Sequence, residues 1–292
     1  MMKFLFVIVF LVGASVQDNV NSTDGSEYLY KAIKSGNVDV VTFLIDNGVN
    51  MNVFDKNLYP FTPLQLAVAK GQTEIFKNLI EHGADVNYEN DYNFTLLHIA
   101  AMFDNLEICE ILIANGTNVN VEDFEKYTPL HNAAQYGSND TVEYLIARGA
   151  NISAKTDDEG FIPLHVAAMS DNLKTCKSLI AHGSDVNAKN EGNLTPLHYA
   201  AIFGTKELAE YLITQGANIN ATSGYEKEYM KTPLHIAYLY GNEEMQTALI
   251  NSGADVNAKD EKNQTPREMD ADKEKDDIYE YINKRKTMFE NL

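Results

Sequence analysis

The sequence predicts an all-α solenoid of about eight short helix–turn–helix units joined by hairpin loops, with the terminal units acting as caps. Two rulers running along the 292 residues predict it. Thr-Pro-Leu-Gln at Thr62 returns as Thr-Leu-Leu-His at Thr95, Thr-Pro-Leu-His at Thr128 and Ile-Pro-Leu-His at Ile162. It restarts at Thr195, Thr232 and Thr265, so the spacings are 33, 33, 34, 33, 37 and 33. Gly48, Gly83, Gly116, Gly149, Gly183, Gly216 and Gly253 form the second ruler, each after a Leu-Ile-rich run and before an Asn-rich turn. Self-similarity at such a period means one supersecondary unit that buries its apolar face only by stacking on its neighbours.

Each element has a physical reason. Thr followed by Pro is a helix N-cap followed by the first helical residue, where the missing N–H of Pro costs nothing. Small Ala residues on the first helix permit close helix stacking. Gly71, Gly137, Gly204 and Gly241 break the chain between the two helices. Asp104-Asn105 and Asp171-Asn172 stand in for that glycine, and Asp and Asn tolerate turn geometry best among the alternatives. The later glycine ends the second helix at its C′ position. An Asp-Val-Asn segment then leads into the hairpin.

Thr-Pro-Leu-His-x-Ala-Ala followed by Gly-Ala-Asp-Val-Asn, at a period of 33, resembles the ankyrin repeat. The resemblance covers residues 26–292, with units near 26–57, 58–91, 92–124, 125–158, 159–191, 192–228, 229–261 and 262–292. The first unit lacks the Thr-Pro-Leu-His half and reads as an N-terminal cap. The last keeps only Thr265-Pro266-Arg267-Glu268 before a strongly charged stretch, which suits a cap with a polar outer face. Two hairpins are long, one near Ser223 to Met230 and one before Thr62.

Residues 1–15 read as a signal peptide. A short positive start at Met1 to Lys3 precedes the apolar run Phe4 to Val12, and the small residues Gly13, Ala14 and Ser15 place cleavage after Ala14 or Ser15. The run is about half of the roughly 20 residues a membrane span needs, so no membrane insertion is expected. Residues 16–25 are a short polar linker. Hydrophobic residues make up 45%, enough for a sizeable core, and the formal net charge is −19. That balance disfavours nucleic acid, whose phosphates call for clustered Lys and Arg. A protein with a basic or apolar surface is the expected partner, and the chain is expected to be a monomer.

All seven histidines fall within the repeat. His98, His131, His165, His198 and His235 hold the fourth place of the motif, where the resemblance implies a ring that hydrogen-bonds neighbouring backbone and ties repeats together. His82 and His182 adjoin the helix-ending glycine. None is left for a metal site or a nucleophile–base pair, and Asp157-Asp158-Glu159 lacks the spacing of a calcium loop. Cys109 and Cys176 each lie 14 places after the first motif residue, where the family has a small aliphatic core residue. They are two repeats apart, on the order of 20 Å at roughly 10 Å per stacked helix, whereas a disulfide needs Cα atoms within about 7 Å. Two free buried thiols are expected. No enzyme activity and no cofactor follow from these residues. Asn-x-Ser/Thr sequons occur at Asn21, Asn93, Asn115, Asn139, Asn151 and Asn220, and also at Asn193 and Asn263, where the Pro after the Thr discourages use. Asn21, ahead of the fold, and Asn139, at the inter-helix turn, are the favoured glycosylation candidates.

The resemblance implies that partners contact hairpin tips and the inner side of the first helices. The position before the motif Thr carries Phe61, Phe94, Tyr127 and Phe161. The inner-helix positions carry Met102, Phe103, Tyr136, Met169, Phe203 and Tyr240. Acidic residues flank both rows. The residues before the Thr have a second reading, in which they pack hairpin against hairpin; the inner-helix residues occupy places where a solvated repeat needs nothing large. The expected function is that of a secreted, non-catalytic protein that captures a protein partner on this aromatic and Met-rich face, as an effector or venom component does. The alternative is an inhibitor-like regulator that masks a signalling or transcription factor inside a target cell.

Overall fold

The computed structural model describes residues 23–53, 61–86, 93–136, 139–157, 159–224 and 230–269. The expected leader and linker up to residue 22, with Asn21, lie outside the described residues, as do residues 270–292 of the eighth unit. Among the described residues there are fourteen α-helices, a single 3-10 turn and no strand. The helices form seven pairs, and the 3-10 turn Pro266–Glu268 opens the eighth.

The chain divides into two compact units at Gly116. In the first, α1 (Thr23–Ser35) packs on α2 (Val38–Asp46) and on α3 (Pro63–Ala69); α3 packs on α4 (Thr73–Glu81) and on α5 (Leu96–Met102), and α5 on α6 (Leu106–Ala114). In the second, α7 (Pro129–Tyr136), α9 (Pro163–Met169), α11 (Pro196–Phe203) and α13 (Pro233–Leu239) stack in sequence as one layer. Their partners α8 (Asn139–Ala147), α10 (Leu173–Ala181), α12 (Lys206–Thr214) and α14 (Glu243–Asn251) form the other.

The motif residues explain these elements. Thr62 caps α3 through a reciprocal pair: Gln65 N–H donates to Thr62 Oγ1 at 3.2 Å, and Thr62 N–H donates to Gln65 Oε1 at 2.9 Å. Elsewhere histidine replaces that Gln, accepting at Nδ1 the N–H of Thr95, Thr128, Ile162, Thr195 or Thr232 at 3.0–3.2 Å. The fourth motif residue is therefore the inward half of a capping box. Leu97, Leu130, Leu164 and Leu197 and the paired alanines 100–101, 133–134, 167–168 and 200–201 are buried, so the first helices approach closely.

The inter-helix breaks follow the expected residues with one exception. Asp104 and Asp171 adopt the left-handed region, as Gly71 does. Gly71 meets a second demand, since a Cβ there would come within 2.4 Å of the Asn105 side chain. Gly204 departs from the pattern: its backbone is extended, α11 runs one residue further to Phe203, and Thr205 N-caps α12. Gly137 lies outside the described residues. The Asn-rich turns form a latch. Asn187 Nδ2 donates to the Gly216 carbonyl at 2.9 Å, and Asn187 Oδ1 accepts from Asn218 N–H at 2.7 Å. Asn120 does the same with Gly149 and Asn151.

Candidate functional site

The polar residues of the motif serve the scaffold. In the second unit, Nε2 of His131 faces the Phe161 carbonyl at 3.0 Å, that of His198 the Lys231 carbonyl at 3.1 Å and that of His235 the Gln264 carbonyl at 3.2 Å. His165 Nε2 lies between the carbonyls of Ala188 and Leu194. With Nδ1 occupied as the acceptor of the cap N–H, each ring is the neutral Nε2–H tautomer and donates to the next repeat. Burial, which penalises the cation, pushes His131, His165 and His198 down to about 4. In the first repeat, which lacks the Thr-Pro-Leu-His half, Tyr30 donates its hydroxyl to Phe61 O at 2.7 Å and takes over the ring's inter-repeat bond.

Cys109 and Cys176 are free and buried in the second-helix layer, in the places held by Phe76 and Val142 in other repeats. Burial pushes both thiols up to about 12, so neither supplies a thiolate. His82 and His182 sit at helix C-caps, with Nδ1 on the carbonyls of Asn78 and Ser178. Among the described residues no three His, Cys, Asp or Glu converge to hold a metal ion.

The ten aromatic and Met candidates separate into three groups. Phe94, Tyr127 and Phe161, before the motif Thr, are buried, as is Met102. These four leave the candidate face, because a partner cannot reach a side chain already enclosed. Phe94 stacks on His98 with centroids 5.1 Å apart, Tyr127 lies 5.3 Å from His131, and Phe161 meets Tyr199 edge-on at 5.5 Å. The position is N′ of each first helix, where a hydrophobic staple closes onto the helix. That signal is present in the sequence and favours packing. Phe61, Met169, Phe203 and Tyr240 are partly exposed. Phe103 and Tyr136 are exposed by 42% and 46%. Both directly follow or end the first helix of their repeat, and Phe103 meets Phe61 edge-on at 6.5 Å.

Two exposed aromatics lie outside the expected rows, Tyr28 on α1 and Phe124. Phe124, on a hairpin tip in the second unit, is 72% exposed. It falls outside both inner rows, so only its place between Glu122, Asp123, Glu125 and Lys126 in a turn marks it as solvent-facing. Lys231 is the converse case, a cation in a row before the motif Thr that is apolar in the five repeats ahead of it. It is buried and pairs with Glu261 at 3.2 Å. Among the described residues no helix is long and apolar enough to cross a membrane. Asn139 is the first residue of α8, and Thr141 of its sequon is buried.

The family model for ankyrin repeats (3 copies) matches residues 3–90, 29–123, 97–190 and 164–260. A putative ankyrin repeat protein of Rickettsia bellii is 34% identical over 92 residues, 30% of this chain and 12% of that one. An ankyrin repeat-containing protein of Schizosaccharomyces pombe is 37% identical over 59 residues, 20% of this chain and 28% of that one. A putative ankyrin repeat protein of Fowlpox virus is 44% identical over 52 residues, 18% of this chain and 36% of that one. The chain thus spans only part of the length of these relatives. The crystal structure of the human ASB11 ankyrin repeat domain superposes with a TM-score of 0.64 at 24% identity, covering 77% of this chain and 98% of that domain. At that identity the likeness speaks for the fold. Repeats of this kind are generally non-catalytic protein–protein interaction modules. The family model matches residues 3–260, the period, capping boxes and inter-repeat histidine bonds of the described residues agree with it, and the chain belongs to the ankyrin-repeat family.

Proposed function

We propose that the chain is an exported binding protein that captures a protein partner through aromatic side chains at the ends of its first helices. The observation that carries this is the exposure of Phe103 and Tyr136 at equivalent places in two repeats. Large rings cost solubility on a face that water covers, and partly exposed aromatic anchors are the usual hot spots of interfaces. Phe124 adds an aromatic on a hairpin tip, and the net charge of −19 favours a basic partner surface. Export rests on the charged start, apolar run and small residues of positions 1–15.

The partner is sought by affinity capture with the chain lacking residues 1–15, followed by mass spectrometry and a binding titration. Phe103→Ala and Tyr136→Ala are each expected to weaken binding by about 2 kcal/mol, roughly 30-fold. They should cost well under the roughly 3–5 kcal/mol of stability that truncating a buried Phe costs. Glu110→Ala, exposed on the second helix of its repeat, should do neither. Unfolding without a specific loss of affinity would show that these rings are packing residues. For export, terminal sequencing of the secreted chain should find Ser15 or Val16, and a folded cytosolic chain retaining Met1 would refute it.

A further inference from the structure

We propose that Asn151 is the N-glycosylation site that the folded solenoid accommodates, rather than Asn139. The sequons of the described residues differ in what the native state does with their amides. Asn115 Nδ2 donates to the Ile111 carbonyl at 2.7 Å as part of a helix end. Asn220 Oδ1 accepts the N–H of Asp255 at 2.9 Å, so its side chain belongs to the latch with the next repeat. Asn93 precedes buried Phe94 and the N-cap Thr95. Asn139 begins α8, and the Thr141 that completes its sequon is enclosed.

Asn220 and Thr222 are exposed as well, so what sets Asn151-Ile152-Ser153 apart is that its Oδ1 serves only its own turn and bonds no other repeat. Asn151 and Ser153 are both exposed at the turn after the second helix of their repeat. Asn151 Oδ1 accepts the N–H of Ser153 at 3.0 Å, and its own N–H donates to Asn120 Oδ1 at 2.7 Å. These two bonds fix the backbone and the carbonyl end of the side chain. Nδ2 makes no hydrogen bond among the described residues. A sugar on Nδ2 therefore displaces no native contact and leaves the inter-repeat bond in place. The co-reactant is the lipid diphosphate-linked oligosaccharide of the secretory pathway. The bond from Nδ2 to the sugar C1 forms, the bond from C1 to the lipid diphosphate oxygen breaks, the amide gives up one proton and the lipid diphosphate leaves. Transfer precedes folding; the fold decides which glycan the native state tolerates.

The inference rests on passage through the secretory pathway. The test therefore replaces residues 1–22 with the cleavable leader of an unrelated secreted protein in a eukaryotic host. Folded monomer from the medium is digested and mapped before and after peptide N-glycosidase, beside the N151Q variant. The expected result is a glycan on the Asn151 peptide that peptide N-glycosidase removes and that N151Q lacks. An unmodified Asn151 peptide from folded, secreted chain overturns the proposal. The chain with its own residues 1–22, run in parallel, tests export separately: retention in the cytosol with Met1 intact sinks export and leaves the Asn151 result standing.

Discussion

Asn132 is the residue least suited to its surroundings. It is buried at the place that holds Leu66, Ile99, Val166 or Ile236 in other repeats, and neither its Oδ1 nor its Nδ2 has a hydrogen-bond partner. A buried unpaired amide costs about 1–3 kcal/mol. Asn132→Leu is expected to stabilise the chain by an amount in that range, read as a raised urea midpoint with unchanged slope; a lowered midpoint would show that the amide is needed. The buried histidines make a second statement at this scale. His131, His165 and His198 have folded values near 4 against about 6.5 when unfolded. The unfolded chain then binds more protons between those values. The neutral rings lose none of their contribution above about pH 6.5, and stability falls as pH drops from there towards 4. Urea midpoints at pH 7 and pH 5 check this. His131→Gln, which copies the Thr62–Gln65 capping box, should reduce proton uptake on unfolding by about one.

At the scale of the element, the Asn latch and the helix cap divide the work of holding repeats in register. The cap fixes where each first helix starts, while the latch ties the turn after one second helix to the corresponding turn of the next repeat. Asn187 forms both bonds of its latch in the open, at 2.9 and 2.7 Å. Neutral hydrogen bonds contribute about 1 kcal/mol each, so Asn187→Ala should cost about 1–2 kcal/mol, measured by chemical denaturation. An unchanged midpoint would mean that water replaces both bonds without loss. Hairpin chemistry is less uniform. Lys231 fills a staple position with a buried ion pair to Glu261, where Phe94, Tyr127 and Phe161 lie against the motif His of their own repeats. Helix starts, helix ends and the core alanines were legible in the sequence because Thr, Pro, Gly and Ala act through local backbone geometry. The fate of the residue before the Thr was not, since N′ side chains can turn onto the helix or away from it.

For the whole molecule, the net charge of −19 bears on the proposed capture of a basic partner surface, which it would attract from beyond contact distance. The association rate with the captured partner should fall steeply between 50 and 500 mM salt, because screening shortens the Debye length from about 14 to about 4 Å, while dissociation changes little. Stopped-flow or surface-binding kinetics measure both, and a salt-independent association rate would exclude electrostatic steering. The sequence by itself determined the repeat, its period, the capping motif and the core register of both cysteines. Each of these is written locally, as a residue type that a turn, a cap or a stacked helix requires. Only the tertiary structure decided which aromatics meet water. Phe94 and Phe103 are nine residues apart and equally apolar, yet one is closed onto His98 and the other is exposed. Exposure depends on what neighbouring repeats place against a side chain, and that is a property of the stack rather than of the residue.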